Sequence, residues 1–164
     1  MRLASKWKAD CRGTTAIEFA MVGIPFFMLL LGTIAVGLFF FTTFALENAV
    51  DRASRLIRIG AVQQSGMTAG EFKEVICNQA PAYIDCDGKL RVNVQSYSDF
   101  GEIVTPSCTD GEGNLVPSEG TAYSAGSSSD VVLVTVCYEW DLAASLPFLK
   151  LGAMPNGAAL IQAS

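Results

Sequence analysis

The chain has 164 residues, a net charge of −5 and no histidine. The lack of histidine excludes His-dependent catalytic triads and removes the commonest protein ligand of metal ions. Residues 48–164 carry 7 basic and 13 acidic side chains, a net charge of −6 that repels nucleic-acid phosphates, so no nucleic-acid partner is expected.

A long uncharged run follows a basic start. The first residues include four basic side chains, Arg2, Lys6, Lys8 and Arg12. The run from Phe19 to Leu46 holds 28 residues and no charge. As a helix it would be roughly 42 Å long, which exceeds the ~30 Å hydrocarbon core of a bilayer. Secretory signals have shorter apolar regions that end in a small-residue cleavage site, and Thr43-Phe44-Ala45 is a poor one. We therefore predict a retained single-pass membrane anchor.

The helical pattern continues past the anchor. Leu46, Val50, Ala53 and Ile57 are spaced as one apolar stripe, and Gly60 is a typical helix stop. This spacing predicts one helix from about Thr14 to Ile59. Its last part is a stem that covers the sheet of the following domain.

A second helix and a first strand come next. Thr68 and Glu71 form a capping-box pattern that predicts a helix with Phe72, Val75 and Ile76 facing inward. Residues 85–88 are typical of a turn. Apolar and polar residues then alternate from Leu90 to Tyr97, which predicts a strand with one buried face.

The rest of the chain combines a long excursion with two further strands. Residues 101–129 are rich in Gly, Ser, Pro and acids, and we expect a long irregular excursion with at most short strand pieces near 102–104. Residues 131–138 are mostly β-branched, as in a central strand buried on both faces. A tight turn at Asn156-Gly157 and a short strand at 158–163 follow. The predicted fold class is α+β, with a long N-terminal helix packed on a small antiparallel sheet.

Four cysteines lie beyond the anchor: Cys77, Cys86, Cys108 and Cys137. An even number of cysteines in a small domain is typical of a compartment where disulfides form. Basic residues flank both ends of the anchor, so their distribution does not determine its orientation, and the cysteines decide it. We expect the C-terminal part outside the cytosol and Cys11 inside it. Three pairings are possible. Cys77 with Cys86 and Cys108 with Cys137 are preferred, since each closes a loop within one local unit.

The acidic residues offer little chemistry. The stretch from Asp110 to Asn114 resembles the start of a calcium loop, but Leu115 stands where the sharp turn needs glycine, so a solvated loop is expected. Glu139 and Asp141 alternate along a strand and are expected to face solvent. The cysteines lack close metal-binding spacing. We predict a non-enzymatic protein with no metal and no cofactor.

Glu18 is the exception, because a carboxylate at the head of a membrane helix is costly. Gly13, four further residues, Glu18 and Phe19, directly behind a basic leader, resemble the recognition sequence of type IV prepilins. Residues 12–20 are similar to the start of the TadE-like pseudopilins, minor components of the bacterial tight-adherence (Tad/Flp) pilus machinery. Residues 91–100 and 126–138 are similar to strand blocks of that family. Phe19 stands where the major Flp pilins usually carry tyrosine, which favours a minor pseudopilin.

The resemblance implies a site and partners. A membrane-embedded aspartyl peptidase, the prepilin peptidase, would cut after Gly13 on the cytosolic face and make Thr14 the first residue. The new ammonium of Thr14 would attract Glu18 of a neighbouring subunit. Small residues would let helices approach closely: Ala16, Ala20, Gly23, Gly32 and Gly37. The implied partners are other pilins and pseudopilins and the Tad inner-membrane assembly platform, in pilus assembly, surface adherence and biofilm formation.

The predicted organisation has three parts in a pilin-like arrangement. Residues 1–13 are a cytosolic leader, 14–60 a transmembrane and stem helix in the bacterial inner membrane, and 61–164 a periplasmic α+β domain with disulfides. An alternative is a membrane-tethered periplasmic binding or sensor domain that is not processed, with its ligand under the 101–129 excursion.

Overall fold

The computed structural model describes residues 14–117, 121–145 and 151–164. The leader, with Cys11 and Gly13, lies outside the described residues. Over these described ranges the chain forms a long helix that begins at Thr14, three short helices and three antiparallel strands, with two 3-10 turns. The predicted α+β class is confirmed. By its contacts the chain divides into two compact units, one up to Gly37 and one of residues Leu38–Ser164.

Helix α1 is Thr14–Arg58 and contains Pro25. Its predicted end is confirmed within one residue. The chain leaves the helix at Gly60, whose φ of 76° lies in the left-handed region that glycine adopts without steric cost. Pro25 has no backbone N–H, so it cannot donate a hydrogen bond to the carbonyl of Met21. Membrane helices tolerate this loss, because neighbouring helices or local changes of geometry satisfy the free carbonyl.

Three short helices follow α1 in the second unit: α2 Ala61–Ser65, α3 Ala69–Gln79 and α4 Cys86–Lys89. The predicted capping box of α3 is confirmed. The Thr68 hydroxyl accepts from the N–H of Glu71 at 3.3 Å, and the Glu71 carboxylate accepts from the N–H of Thr68 at 2.7 Å. The prediction of a simple turn at 85–88 is wrong, because Asp85 caps the Gly88 N–H at 3.0 Å and the chain winds into α4.

The three strands are β1 Leu90–Tyr97, β2 Val131–Trp140 and β3 Ala159–Ala163. They form one antiparallel sheet in the order β1-β2-β3, so β2 is central as predicted. The turn before β3 is confirmed by the bond from the Gly157 N–H to the Met154 carbonyl at 2.9 Å. The residues of β2 from Val134 to Tyr138 are all buried, which requires cover on both faces of the sheet.

One face of the sheet packs on helices. The predicted stripe of α1, Leu46, Val50, Ala53 and Ile57, is buried in one core cluster with Phe72 and Ile76 of α3. The strand residues in this cluster include Val94, Val136 and Ile161. Successive side chains of a strand point to opposite faces of the sheet. On each strand the core residues are an even number of positions apart, so they all lie on the same face.

The excursion covers the other face. Its Cys108 is joined to Cys137 of β2, and the Arg91 Nε donates to the Val116 carbonyl at 2.9 Å. Residues 102–104, where at most short strand pieces were expected, form no strand. A 3-10 turn ends at Glu102, where the Asp99 carboxylate accepts from the Gly101 N–H, and the strand-like pairing occurs later. There the N–H of Val94 donates to the carbonyl of Ala122 at 2.8 Å.

Candidate functional site

The first turns of α1 present a carboxylate at the start of an apolar surface. Thr14 begins the helix, and Glu18 follows one turn later and is exposed. Side chains four residues apart lie on the same helix face, so the Glu18 carboxylate projects on the side of the helix where Thr14 lies. Gly13 itself lies outside the described residues.

From Ile17 to Val36, α1 exposes large apolar side chains on all sides. The exposed set is Ile17, Phe19, Met21, Val22, Ile24, Phe26, Phe27, Met28, Leu29, Leu30, Leu31, Ile34 and Val36. A water-facing helix has a polar face, whereas a helix that is apolar all round belongs in a membrane or inside a larger assembly. Burying each such side chain stabilises by about 1.5–3 kcal/mol. The helix is consistent with a single-pass membrane anchor.

Two glycines of α1, Gly23 and Gly37, are not held by close packing against other residues that the structure describes. A Cβ at Gly37 would meet nothing within 4 Å, and one at Gly23 would make only an ordinary contact of 3.6 Å with the Phe19 ring. Glycine costs a helix about 1 kcal/mol relative to alanine. Contact with another helix is a physical reason to keep it, because glycine allows two helix backbones to approach closely.

The small residues and Glu18 lie on different faces. Ala16, Ala20 and Gly23 are spaced by four and three residues, which places them on one face of α1. Glu18 is two residues from both alanines and therefore lies on the opposite side. The segment thus has a charged face and, on the opposite side, a face of small residues that another helix could approach closely.

The four predicted cysteines form two disulfides, with the preferred pairing. Cys77 near the end of α3 is joined to Cys86 at the start of α4, with a Cα–Cα distance of 6.0 Å. Cys108 in the excursion is joined to Cys137 in β2, with a Cα–Cα distance of 5.6 Å. The first bond joins two helices, and the second fastens the excursion to the central strand.

A groove lies where the excursion returns to the sheet. It has a volume of about 860 Å³ and lies between the end of α1, including Ile57 and Arg58, and the loop Gly126 to Asp130. Asp130 accepts from the Ser127 N–H at 2.7 Å, which shapes the loop. This groove is the place in the second unit that best fits the alternative of a ligand-binding domain.

The other carboxylates are engaged in structural contacts. Glu139 accepts from the Asn156 side-chain amide at 2.6 Å, and Asp141 forms an ion pair with Lys89. Asp110 accepts from the N–H groups of Asn114 and Glu112, both at 2.9 Å, and these bonds, that of Asn114 first, hold the pKa of Asp110 below its usual range. Within the described ranges, no three His, Cys, Asp or Glu side chains are grouped to hold a metal ion.

Sequence reasoning missed a group of aromatic side chains around the first turns of α1 in the second unit. The Tyr83 hydroxyl is 3.0 Å from the Thr42 Oγ1, and the rings of Phe39 and Trp140 are 5.4 Å apart. These partners are far apart in sequence, and no local pattern in the chain indicates that they meet.

Comparison with known proteins supports the family resemblance noted for the N-terminal segment. Residues 13–55 match the family described as TadE-like protein. No curated protein and no solved structure was matched. The match begins at the glycine of the prepilin-like motif and runs through the apolar helix into the stem. Residues 13–55 of this chain are therefore a TadE-like segment, in agreement with the resemblance seen in the sequence.

Proposed function

We propose that this protein is a minor pseudopilin of the Tad/Flp pilus. The TadE-like family is a structural, non-enzymatic class related to this pilus, and membership implies contact with other pilus components. The observation that carries the proposal is the combination of this match with a helix that begins one turn before Glu18 and, from Phe19 onward, exposes large apolar side chains on all sides.

In this proposal the prepilin peptidase removes residues 1–13. The cut after Gly13 places a new ammonium on Thr14, and the adjacent subunit presents Glu18 to it in a low-dielectric environment. At 4 Å and an effective dielectric constant of about 20, two unit charges attract by about 4 kcal/mol. That attraction draws the anchored subunit from the bilayer into a bundle of helices.

The same proposal places α1 in the inner membrane and the second unit in the periplasm. The two disulfides support this side, because they persist in oxidising compartments. There the domain assists pilus assembly with other pilins and the Tad platform, and through the pilus it contributes to adherence and biofilm formation.

Intact-mass measurement tests the processing step. In cells that contain the peptidase, we expect the membrane-extracted wild type to lack the mass of residues 1–13 and Gly13→Leu to keep it. Gly37→Leu is the matched control, since a side chain at Gly37 meets nothing within 4 Å, and it should be cut normally. A wild type that functions while retaining Met1 would contradict the proposal.

A second candidate, a membrane-tethered periplasmic binding or sensor domain, is favoured by the 860 Å³ groove between α1 and the 126–130 loop. This function needs the anchor but no cleavage. An uncut Met1 terminus in native membranes, together with normal pili in a strain that lacks the protein, would favour it over the pseudopilin.

A further inference from the structure

Four aromatic side chains, two of them on α1 itself, cluster at the beginning of the second unit. We call this cluster the aromatic collar, and its members are Phe39, Phe41, Tyr83 and Trp140. The rings of Phe39 and Trp140 are 5.4 Å apart and those of Phe41 and Tyr83 are 6.5 Å apart. The Tyr83 hydroxyl lies 3.0 Å from the Thr42 Oγ1, which fixes the tyrosine to the helix. The collar therefore joins α1, the segment after α3 and the end of β2.

The collar lies at a defined distance along the apolar helix. From Phe19 to Leu38, α1 advances by about 30 Å, which is the thickness of a hydrocarbon core. The uncharged run nevertheless continues to Leu46. If the core begins just after Glu18, Phe39 and Phe41 fall in the layer where headgroups and water meet. Tyrosine and tryptophan are enriched in this layer, because their rings are apolar and their N–H or O–H groups are polar.

Part of the collar is exposed although it is apolar. Phe41, Tyr83 and the neighbouring Leu142 all present substantial surface. Tyr83 and Leu142 border a recess of about 360 Å³ that is also lined by Leu38 and Trp140. Burying an exposed apolar patch of this kind in the interfacial layer of a bilayer removes it from water.

The charges at this end are compatible with a lipid surface. The recess is lined by three charged residues, Asp85, Lys89 and Asp141. Lys89 and Asp141 form an ion pair, and the Asp85 carboxylate accepts from the Gly88 N–H at 3.0 Å. Such internal partners reduce the cost of moving these charges from water to the interface.

We propose that the exposed members of the aromatic collar, Phe41 and Tyr83, together with Leu142, rest in the headgroup layer of a zwitterionic bilayer and dock the folded domain on the membrane surface, while Phe39 and Trp140 support them from the core. This inference rests on the proposed anchoring of α1. It adds a second membrane contact, made by the domain itself, and fixes which end of the domain faces lipid.

Photocrosslinking in the full chain tests the contact. A photoreactive phenylalanine replaces one residue at a time, Tyr83, Phe27 or Phe100, and each variant is reconstituted in phosphatidylcholine vesicles. Phe27 and Tyr83 are both 53% exposed, so exposure alone does not distinguish them. Phe100 is 76% exposed but borders the groove at Ile57 and Arg58, roughly 25 Å further along α1 than the collar. Covalent lipid is detected by intact mass.

We expect lipid adducts at positions 27 and 83 and none at position 100. Adducts at 27 without adducts at 83 would overturn the collar contact and leave the anchor intact. Adducts at 83 and 100 in equal yield would also overturn it, because the domain would then meet lipid without a preferred end. A covalent protein dimer at 83 would assign this surface to a second copy. The lack of adducts at 27 would remove the anchoring on which the inference rests.

Discussion

Glu18 and Thr14 are the residues on which the proposed assembly depends. Both lie in the first turns of α1, and Glu18 is exposed on a helix segment that otherwise presents apolar side chains. A carboxylate at this position is costly in a bilayer unless a positive partner is near. Removal of its charge should therefore affect assembly more than insertion.

We expect Glu18→Gln to be cut and inserted as the wild type is, but to reduce pilus assembly strongly. Glutamine keeps the shape of the side chain and removes the charge that the Thr14 ammonium would attract. Immunoblots for processing and counts of pili per cell measure the two steps separately.

Glu47→Gln is the matched control for this experiment. Glu47 is an exposed carboxylate of the same helix, within the second unit, and its replacement should leave pili normal. Equal numbers of pili in Glu18→Gln and the wild type would refute the charge role, whatever the state of processing.

Glu71 links the stability of α3 to pH. Its carboxylate accepts from the N–H and the hydroxyl of Thr68, and these bonds, the backbone one first, hold its pKa below the ordinary value of a glutamate side chain. A carboxyl group with a depressed folded-state pKa adds stability above its unfolded pKa. That stability is lost as the pH falls through the folded-state pKa.

Glu71→Gln should therefore be less stable than the wild type at pH 7, and the difference should disappear below the folded-state pKa. Thermal unfolding of the full chain in detergent, from pH 7 to pH 3, measures it. Glu74→Gln on the same helix is the control, since Glu74 is exposed and takes no part in the capping box. A difference that persists unchanged at pH 3 would contradict the linkage.

At the scale of elements, local chemistry determines most boundaries. The α1 stripe, the capping box of α3 and the alternation of Leu90–Tyr97 each predicted an element that the structure contains. The conformation of residues 85–88 was harder to predict, because the Asp-x-x-Gly pattern occurs both in non-helical turns and at the start of a one-turn helix. The Cys77–Cys86 disulfide links α3 to α4, and the Cys108–Cys137 disulfide holds the irregular excursion against the sheet.

The disulfides should differ in their effect on stability. Cys108 and Cys137 are 29 residues apart and Cys77 and Cys86 are 9 apart. On the loop-entropy model, loss of the longer loop costs about 3.5 kcal/mol and loss of the shorter about 2.5 kcal/mol. We expect Cys108→Ser/Cys137→Ser to be the less stable double variant.

Denaturant unfolding of the full chain in detergent, followed by fluorescence of the buried Trp140, measures this difference. The Trp7→Phe background removes the other tryptophan. The Cys77→Ser/Cys86→Ser variant is the matched control. A larger loss of stability in that control than in the Cys108 and Cys137 variant would refute the order.

At the scale of the whole molecule, the sequence predicted the fold class and the junction motif but not how distant segments meet. The periodicity of hydrophobic residues predicted α1 and the strands, and the uncharged run predicted the anchor. No local signal placed Tyr83 beside Thr42 or Trp140 beside Phe39, since these contacts depend on tertiary packing. For the same reason the excursion was predicted as irregular, but not as the cover of the second sheet face.

The strand order β1-β2-β3 also determines when the domain can fold. During synthesis β1 emerges long before its antiparallel partner β2, because residues 98–130 separate them. Until then a β-prone segment with unpaired backbone groups is open to aggregation, and a holding chaperone would have to shield it. Cys77 and Cys86 can pair in this interval. When Cys77 and Cys86 bond first, Cys108 and Cys137 are the two cysteines that remain to pair. The order of translation therefore reduces the number of wrong pairings.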